Sequence, residues 1–146
     1  MNKRIIITLF LTAAIAAIYF LSRKKNDSTS TDKIKIGVVL PLSGPVAEPG
    51  KNVLSGIQIS VDTYNDTTRN NKIELIIEDS KSNPKDGVSA FKKLVEVDGA
   101  KIVIGDIMSS VFLAIAPIAE KEKILLISPG ASNPAVTNAG DYIFRD

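Results

Sequence analysis

The chain of 146 residues has no cysteine and no histidine. Disulfides, thiol nucleophiles, cysteine-ligated zinc and histidine-based triads are thereby excluded. The lipid-attachment cysteine that many bacterial surface proteins carry after their signal is missing as well. A large excess of charge of one sign is also lacking. The formal net charge is +2, and it is unevenly spread. Residues 1–32 hold Lys3, Arg4, Arg23, Lys24 and Lys25 against Asp27 and Asp32, giving +3. Residues 33–146 carry 13 basic and 14 acidic groups, close to neutral. No basic face for nucleic acid is expected from that balance. No internal repeat is visible.

The N-terminus carries a long apolar run. Lys3 and Arg4 precede 17 apolar or near-apolar residues, Ile5 to Leu21, and "SRKKNDSTSTD" comes after them. A secretory h-region is ~7–15 residues and a membrane-spanning helix ~17–25, so the run lies on the border. Residues 1–21 are expected to be an uncleaved signal anchor or a cleaved signal peptide, with a buried helix of the fold as the third reading. An Ala14-x-Ala16 pair offers a cleavage site, but cutting there leaves "AIYFL" on the mature end. The basic cluster after Leu21 fits poorly with export, because positive flanks prefer the cytoplasm. Both leading readings nevertheless export the chain beyond Leu21. Residues 22–33, polar and rich in serine and threonine, read as a tether.

From there, short β-branched runs alternate with helical periodicity. "IKIGVVL" (34–40) ends at Pro41 and reads as a buried strand. Val53, Leu54, Ile57, Val61 and Tyr64 then lie on one helical face. "KIELIIED" (72–79) is a second strand. Asn83 as cap, Pro84 at the first helical position and Asp86 in the first turn open another helix, whose stripe is Val88, Phe91 and Val95. "KIVIG" (101–105) is strand three, followed by a helix from about Ser109 to Lys123, which Pro117 should bend or interrupt. "ILLIS" (124–128) and "YIF" (142–144) complete five strands.

This alternation predicts an α/β fold, a doubly wound, Rossmann-like parallel sheet of order 2-1-3-4-5. Ligands in such sheets bind at the carboxyl ends of the strands, at the switch point between strands one and three. The segments lining that point are 41–50, 105–110 and 128–133. Ser109 and Ser110 fall there. Serine is a good helix cap, and free N–H groups at a helix start with a hydroxyl beside them also suit a carboxylate. In "SPGASNP" (128–134), Gly130 lets the backbone approach a ligand and Ser132 adds a hydroxyl; alone, this loop is a weak signal. Glu78 and Asp79 read as solvated strand-end charge.

Two enzyme classes fail on these residues. A dinucleotide enzyme needs G-x-G-x-x-G after the first strand, whereas "PLSGPVAEPG" lacks that spacing and puts prolines at the helix start. A phosphate-accepting receiver domain is matched by Asp106 and Ser128, but strand one ends without an acidic pair and no lysine follows strand five. No catalytic residue, metal or cofactor is expected.

The blocks "KIGVVLPLSGPVAEPGKNVLSGIQISVD", "IELIIEDSKSNPKDGVSAFKKLV", "IVIGDIMSS", "APIAEKEKILLISPGASNPAVT" and "YIFR" resemble, in order and spacing, the N-terminal lobe of type I periplasmic binding proteins. The similarity is to the leucine/isoleucine/valine receptors of ABC importers and covers residues 33–146. It implies an extracytoplasmic receptor lobe that binds an amino acid, branched-chain or similar, and delivers it to a membrane ABC permease. The resemblance also implies roles. Ser109 holds the α-carboxylate through its hydroxyl and N–H, the Gly130 carbonyl accepts from the ammonium, and the Ser132 hydroxyl reaches the ligand's main-chain groups. Ser110 and Pro49 are additional ligand-loop candidates. Pro49 stands where such receptors often place an aromatic, and Ser82 and Met108 stand where some carry a cysteine pair. Family members have two lobes, and residues 34–146 correspond to one, so the chain is expected to be a fragment, a truncated gene product or half of a split receptor, binding weakly alone. The alternatives are a ligand-sensing ectodomain of a signalling receptor and a non-binding remnant.

Overall fold

The structure, a computed structural model, describes residues 33–146. The signal or anchor expected over 1–21 and nearly all of the tether over 22–33 lie outside the described residues. Asp32–Asp146 form one compact unit. Among the described residues no helix is long and apolar enough to cross a membrane.

The β-branched runs form the five strands β1 (Ile34–Leu40), β2 (Ile73–Asp79), β3 (Ile102–Ile104), β4 (Leu125–Ser128) and β5 (Ile143–Arg145). Between them lie α1 (Ala47–Thr67), α2 (Pro84–Lys92), α3 (Ser109–Glu122) and a 3-10 turn, Pro134–Asn138. The sheet is parallel throughout, in the order β2-β1-β3-β4-β5. β1 lies inside the sheet, pairing Ile34–Leu40 with Ile73–Asp79 on one side and Ile36–Val38 with Ile102–Ile104 on the other. The expected doubly wound fold is therefore present.

Side chains alternate across each strand, and the two faces differ in cover. On one face Val39, Val103, Leu126 and Ile143 meet Phe91, Leu94, Val111, Phe112 and Ile115 from α2, α3 and the turn after α2. Nearly all of these are fully buried, and at roughly 25 cal/mol per Å2 they supply most of the drive to fold. On the other face α1 packs over β1 and β2 alone. Ile102, Ile104, Leu125 and Ile127 are only half-buried there, and Phe144 is 51% exposed. Parallel sheets ordinarily have both faces covered; half of this face has no described helix over it.

Local differences from expectation have physical causes. α2 gives way to a π-helical turn at Lys93–Val97, which brings Leu94 fully into the core and leaves Val95 half-buried. α3 runs unbroken through Pro117, which is exposed. Tyr64 is exposed, and its neighbour Asn65 ties α1 to β2 by accepting from the Ile73 N–H (2.8 Å) and donating to its carbonyl (2.9 Å). β5 starts one residue late, at Ile143, because Tyr142 donates its N–H to the Glu120 carboxylate at 3.0 Å.

Candidate functional site

The strands' carboxyl ends carry three loops, and two buried or half-buried acids organise them. The first is Asp79, at the end of β2. Its Oδ1 accepts from the N–H of Leu42 (2.8 Å), Ser43 (3.2 Å) and Lys81 (2.8 Å), and its Oδ2 from the Ser43 hydroxyl (2.6 Å). Ser82 adds to the clamp, donating to the Ser43 carbonyl (2.9 Å) and accepting from the Val46 N–H (3.3 Å). The loop after β1 is thus bound to the end of β2. Burial pushes the Asp79 carboxyl up, but the bonds from Ser43, Lys81 and Leu42 outweigh it and hold the group below its ordinary value. The expectation of a merely solvated strand-end charge is corrected for Asp79. Glu78 is paired with Lys93, which also meets Asp98 at 3.3 Å.

The second acid is Asp106, fully buried after β3. The chain reaches it through Gly105, whose φ is +129° and whose added Cβ would lie 1.7 Å from the Val39 carbonyl oxygen. Only glycine fits such an approach. Asp106 Oδ2 accepts from the Ser80 hydroxyl at 2.5 Å, and Oδ1 from the Met108 N–H at 2.7 Å. Its carbonyl accepts from the Ser128 hydroxyl at 2.7 Å. The Ser128 oxygen in turn accepts from the N–H of Ala131 (2.8 Å) and Gly130 (3.3 Å). One polar line therefore joins the ends of β2, β3 and β4 to the loop after β4. Burial raises the Asp106 carboxyl above its ordinary value, opposed by Ser80 and the Met108 and Ile107 N–H groups, with the charge of Asp79 adding to the rise.

The sequence candidates sit on this frame. Ser109 is not the helix cap: Met108 holds that position, with no side-chain cap bond, and Ser109 is the first helical residue. The hydroxyl is used elsewhere, accepting from the Asn133 N–H at 3.1 Å, which draws α3 and the loop after β4 together. Val111 and Phe112 donate to the Met108 carbonyl. The N–H groups of Ser109 and Ser110 meet no acceptor among the described residues. With its oxygen already accepting, the Ser109 hydroxyl keeps its proton to donate.

Across from it, Gly130 is exposed, and its carbonyl accepts no hydrogen bond among the described residues. Space inside the lobe does not demand glycine there, since an added Cβ would meet Ile107 at an ordinary 3.5 Å. Ser132 is exposed, with its carbonyl 3.4 Å from Arg145 and its hydroxyl unengaged among the described residues. Pro49 is exposed in the first turn of α1 and shares no hydrogen bond with the others. Next to it the buried Gly50 lets α1 close on the loop after β1, because an added Cβ would lie 2.1 Å from the Pro41 carbonyl oxygen.

The arrangement sets free N–H donors and a hydroxyl proton at the positive end of α3, and a free carbonyl on the neighbouring loop. The first group suits an anion and the second a cation. Among the described residues no three metal-capable side chains cluster. A concavity of about 570 Å3 beside Thr137, Phe144 and Arg145 lies along β5. Sequence reasoning missed Ser80, Asn133 and the structural use of Asp79, Asp106 and Ser128. The sequence signal for the other four was their position at strand ends, and Asn133 stands before Pro134 at the start of the 3-10 turn.

The family model described as "Periplasmic binding protein" matches residues 33–145. The chain is 35% identical over 138 residues to a leucine-, isoleucine-, valine-, threonine- and alanine-binding protein of Pseudomonas aeruginosa, covering 92% of this chain and 36% of that protein. The branched-chain amino acid transporter substrate-binding protein LivJ of Streptococcus pneumoniae, solved with isoleucine, superposes with a TM-score of 0.74 at 31% identity. That match covers 77% of this chain and 33% of that one. A solute-binding protein of an ABC transporter from Rhodopseudomonas palustris, solved with 3,4-dihydroxybenzoic acid, gives a TM-score of 0.73 at 28% identity, over 78% of this chain and 31% of that one. The chain spans about a third of the length of the curated relatives it matches. With strand order, loop sequences and overall match in agreement, the chain belongs to the periplasmic binding protein family.

Proposed function

We propose that residues 34–146 are the N-terminal lobe of an extracytoplasmic receptor that captures an amino acid, branched-chain or similar, and passes it to a membrane ABC permease. One observation carries the reading. Among the described residues the N–H groups of Ser109 and Ser110 meet no acceptor and the Gly130 carbonyl no donor, and the bond from the Asn133 N–H to the Ser109 hydroxyl ties together the two segments that carry them. A zwitterion needs an anion site and a cation acceptor side by side, and charge-assisted bonds are about twice as strong as neutral ones. Ser132, on the loop after β4, and Pro49, at the start of α1, are assigned to the same ligand site. One lobe leaves these bonds in competition with water, and closure by a second lobe buries them.

The test is calorimetry on a two-lobed form, built by joining this lobe to the second lobe of a branched-chain receptor. Leucine, isoleucine or valine is expected to bind saturably. Ser109→Ala is expected to weaken binding at least tenfold, about 1.4 kcal/mol. An unchanged affinity removes the role assigned to Ser109. A second reading, an aromatic carboxylic acid, is favoured by the relative that holds 3,4-dihydroxybenzoic acid. Its carboxylate would use the same α3 donors and leave Gly130 idle. Preference for 3,4-dihydroxybenzoate over leucine in the same titration would decide for it.

A further inference from the structure

The opposite edge of the sheet, where the strands begin, has a different chemistry. Lys33 and Lys35 open β1, Arg69 and Lys72 lead into β2, and Lys101 leads into β3; all five are exposed. A concavity of about 310 Å3 is lined by Lys33, Ile34, Lys35, Gly99, Lys101 and Ile102, with no carboxylate among them. The acids nearby are Asp66 at the end of α1, Glu74, which sits opposite Lys35 in the β1–β2 pair, Glu96 in the turn after α2, and Asp98, which is tied to Lys93 at 3.3 Å. Lys35 is held in place, its Nζ donating to the Asp98 carbonyl at 2.9 Å. Two large apolar side chains stand in water at this edge, Ile34 at 42% and Val97 at 75% exposure. Residues 33–146 are close to neutral as a whole, whereas the concavity itself is lined by three lysines and no acid.

We infer that this edge docks on an anionic phospholipid surface, with lysines on the phosphates and Ile34 and Val97 entering the headgroup layer. Cations alone would suit any polyanion. The exposed apolar pair between them favours a surface with an apolar layer beneath its charges. The covalent chain points the same way. It enters the lobe at this edge, through Lys33, and 11 residues, 22–32, separate Lys33 from the apolar run Ile5–Leu21. Those 11 residues span at most about 36–40 Å. A membrane holding that run keeps the edge within reach. The lobe would then stand with its ligand crevice turned away from the lipid.

The inference rests on the expectation that residues 5–21 reach a membrane, and the neutral-vesicle arm of the test separates the two. The chain has no native cysteine, so Val97→Cys gives a single fluorophore site at the edge, and Pro45→Cys gives one at the crevice end. Full chain is mixed with vesicles of phosphatidylcholine, alone or with phosphatidylglycerol, each containing a spin-labelled quencher lipid. The probe at residue 97 is expected to be quenched several-fold more on anionic than on neutral vesicles, and the probe at residue 45 on neither. Each lysine at such a surface multiplies partitioning about fivefold, so Lys33→Gln with Lys101→Gln should lower it by roughly 25-fold. Raised salt should abolish the difference without any substitution, which keeps the test intact if the variant misfolds. Equal quenching at residue 97 on both vesicle types overturns the proposal. So does flotation with vesicles while residue 97 stays unquenched, a result that leaves anchoring by residues 5–21 standing.

Discussion

Replacing Asp79 tests whether the crevice depends on a clamp at its rim. Its carboxylate accepts four hydrogen bonds, three at Oδ1 and one at Oδ2. A bond to a charged group is worth about 1.5–3 kcal/mol when buried. Asp79 is half-exposed, so water replaces much of each bond, and about 2–3 kcal/mol is expected for Asp79→Ala as a whole. Asp79→Asn keeps an oxygen at the Oδ1 position and loses the charge and the Oδ2 acceptor, for about 1 kcal/mol. Urea unfolding of the full chain reads both. With a slope of about 1–3 kcal/mol per M, Asp79→Ala should lower the midpoint by about 0.7–3 M at unchanged slope. Because the folded carboxyl lies below the ordinary aspartate value of 3.8, its contribution is present above that pH. It is lost as pH falls through the lower, folded value. A loss under about 0.5 kcal/mol for Asp79→Ala, or equal losses for both variants, would refute the clamp.

Asp106 should show the opposite sign. Its folded carboxyl is raised, so the native state holds a proton the unfolded chain has released, and stability falls as pH rises from 3.8 through the folded value. Asp106→Asn can still accept from Met108 and donate to Ser80, and it should flatten that part of the pH–stability curve; an unchanged slope would clear Asp106 of the effect. Gly105→Ala should cost about 4 kcal/mol or more, because β1 and β3 must separate to admit the Cβ, and loss of the cooperative urea transition is the expected reading.

The strands are legible in the sequence because each is a β-branched run between turn residues. Asn83, Pro84 and Asp86 announce α2 through local chemistry alone, and Asn83 does accept from the Asp86 N–H. The helix start at the switch point is legible too, since the third strand runs into "GDIMSS". The connections that hold the crevice are not. Asp79 reaches back 36 and 37 residues to Ser43 and Leu42, Asp106 reaches back 26 to Ser80, and Ser128 reaches back 22 to Asp106. No periodicity records which strand ends will be neighbours, and a serine at a strand end looks the same whether or not a carboxylate waits for it. Ser109 departs from the expected cap for the same reason. Its partner is the Asn133 N–H, 24 residues on, and local capping preference carries no information about it.

The interior position of β1 has a consequence in time. β1 is the first strand to be synthesised, yet its second neighbour, β3, is complete only at Ile104, and Val38 pairs with that residue. At about 5–20 residues per second, roughly 3–13 s pass before Val38 has that partner. During that interval the sheet cannot close and the chain stays unfolded, as a polypeptide must be to pass through a translocation pore. A strand order that places the earliest strand inside the sheet thus delays folding until most of the lobe has been made, and the delay falls when an exported chain needs it.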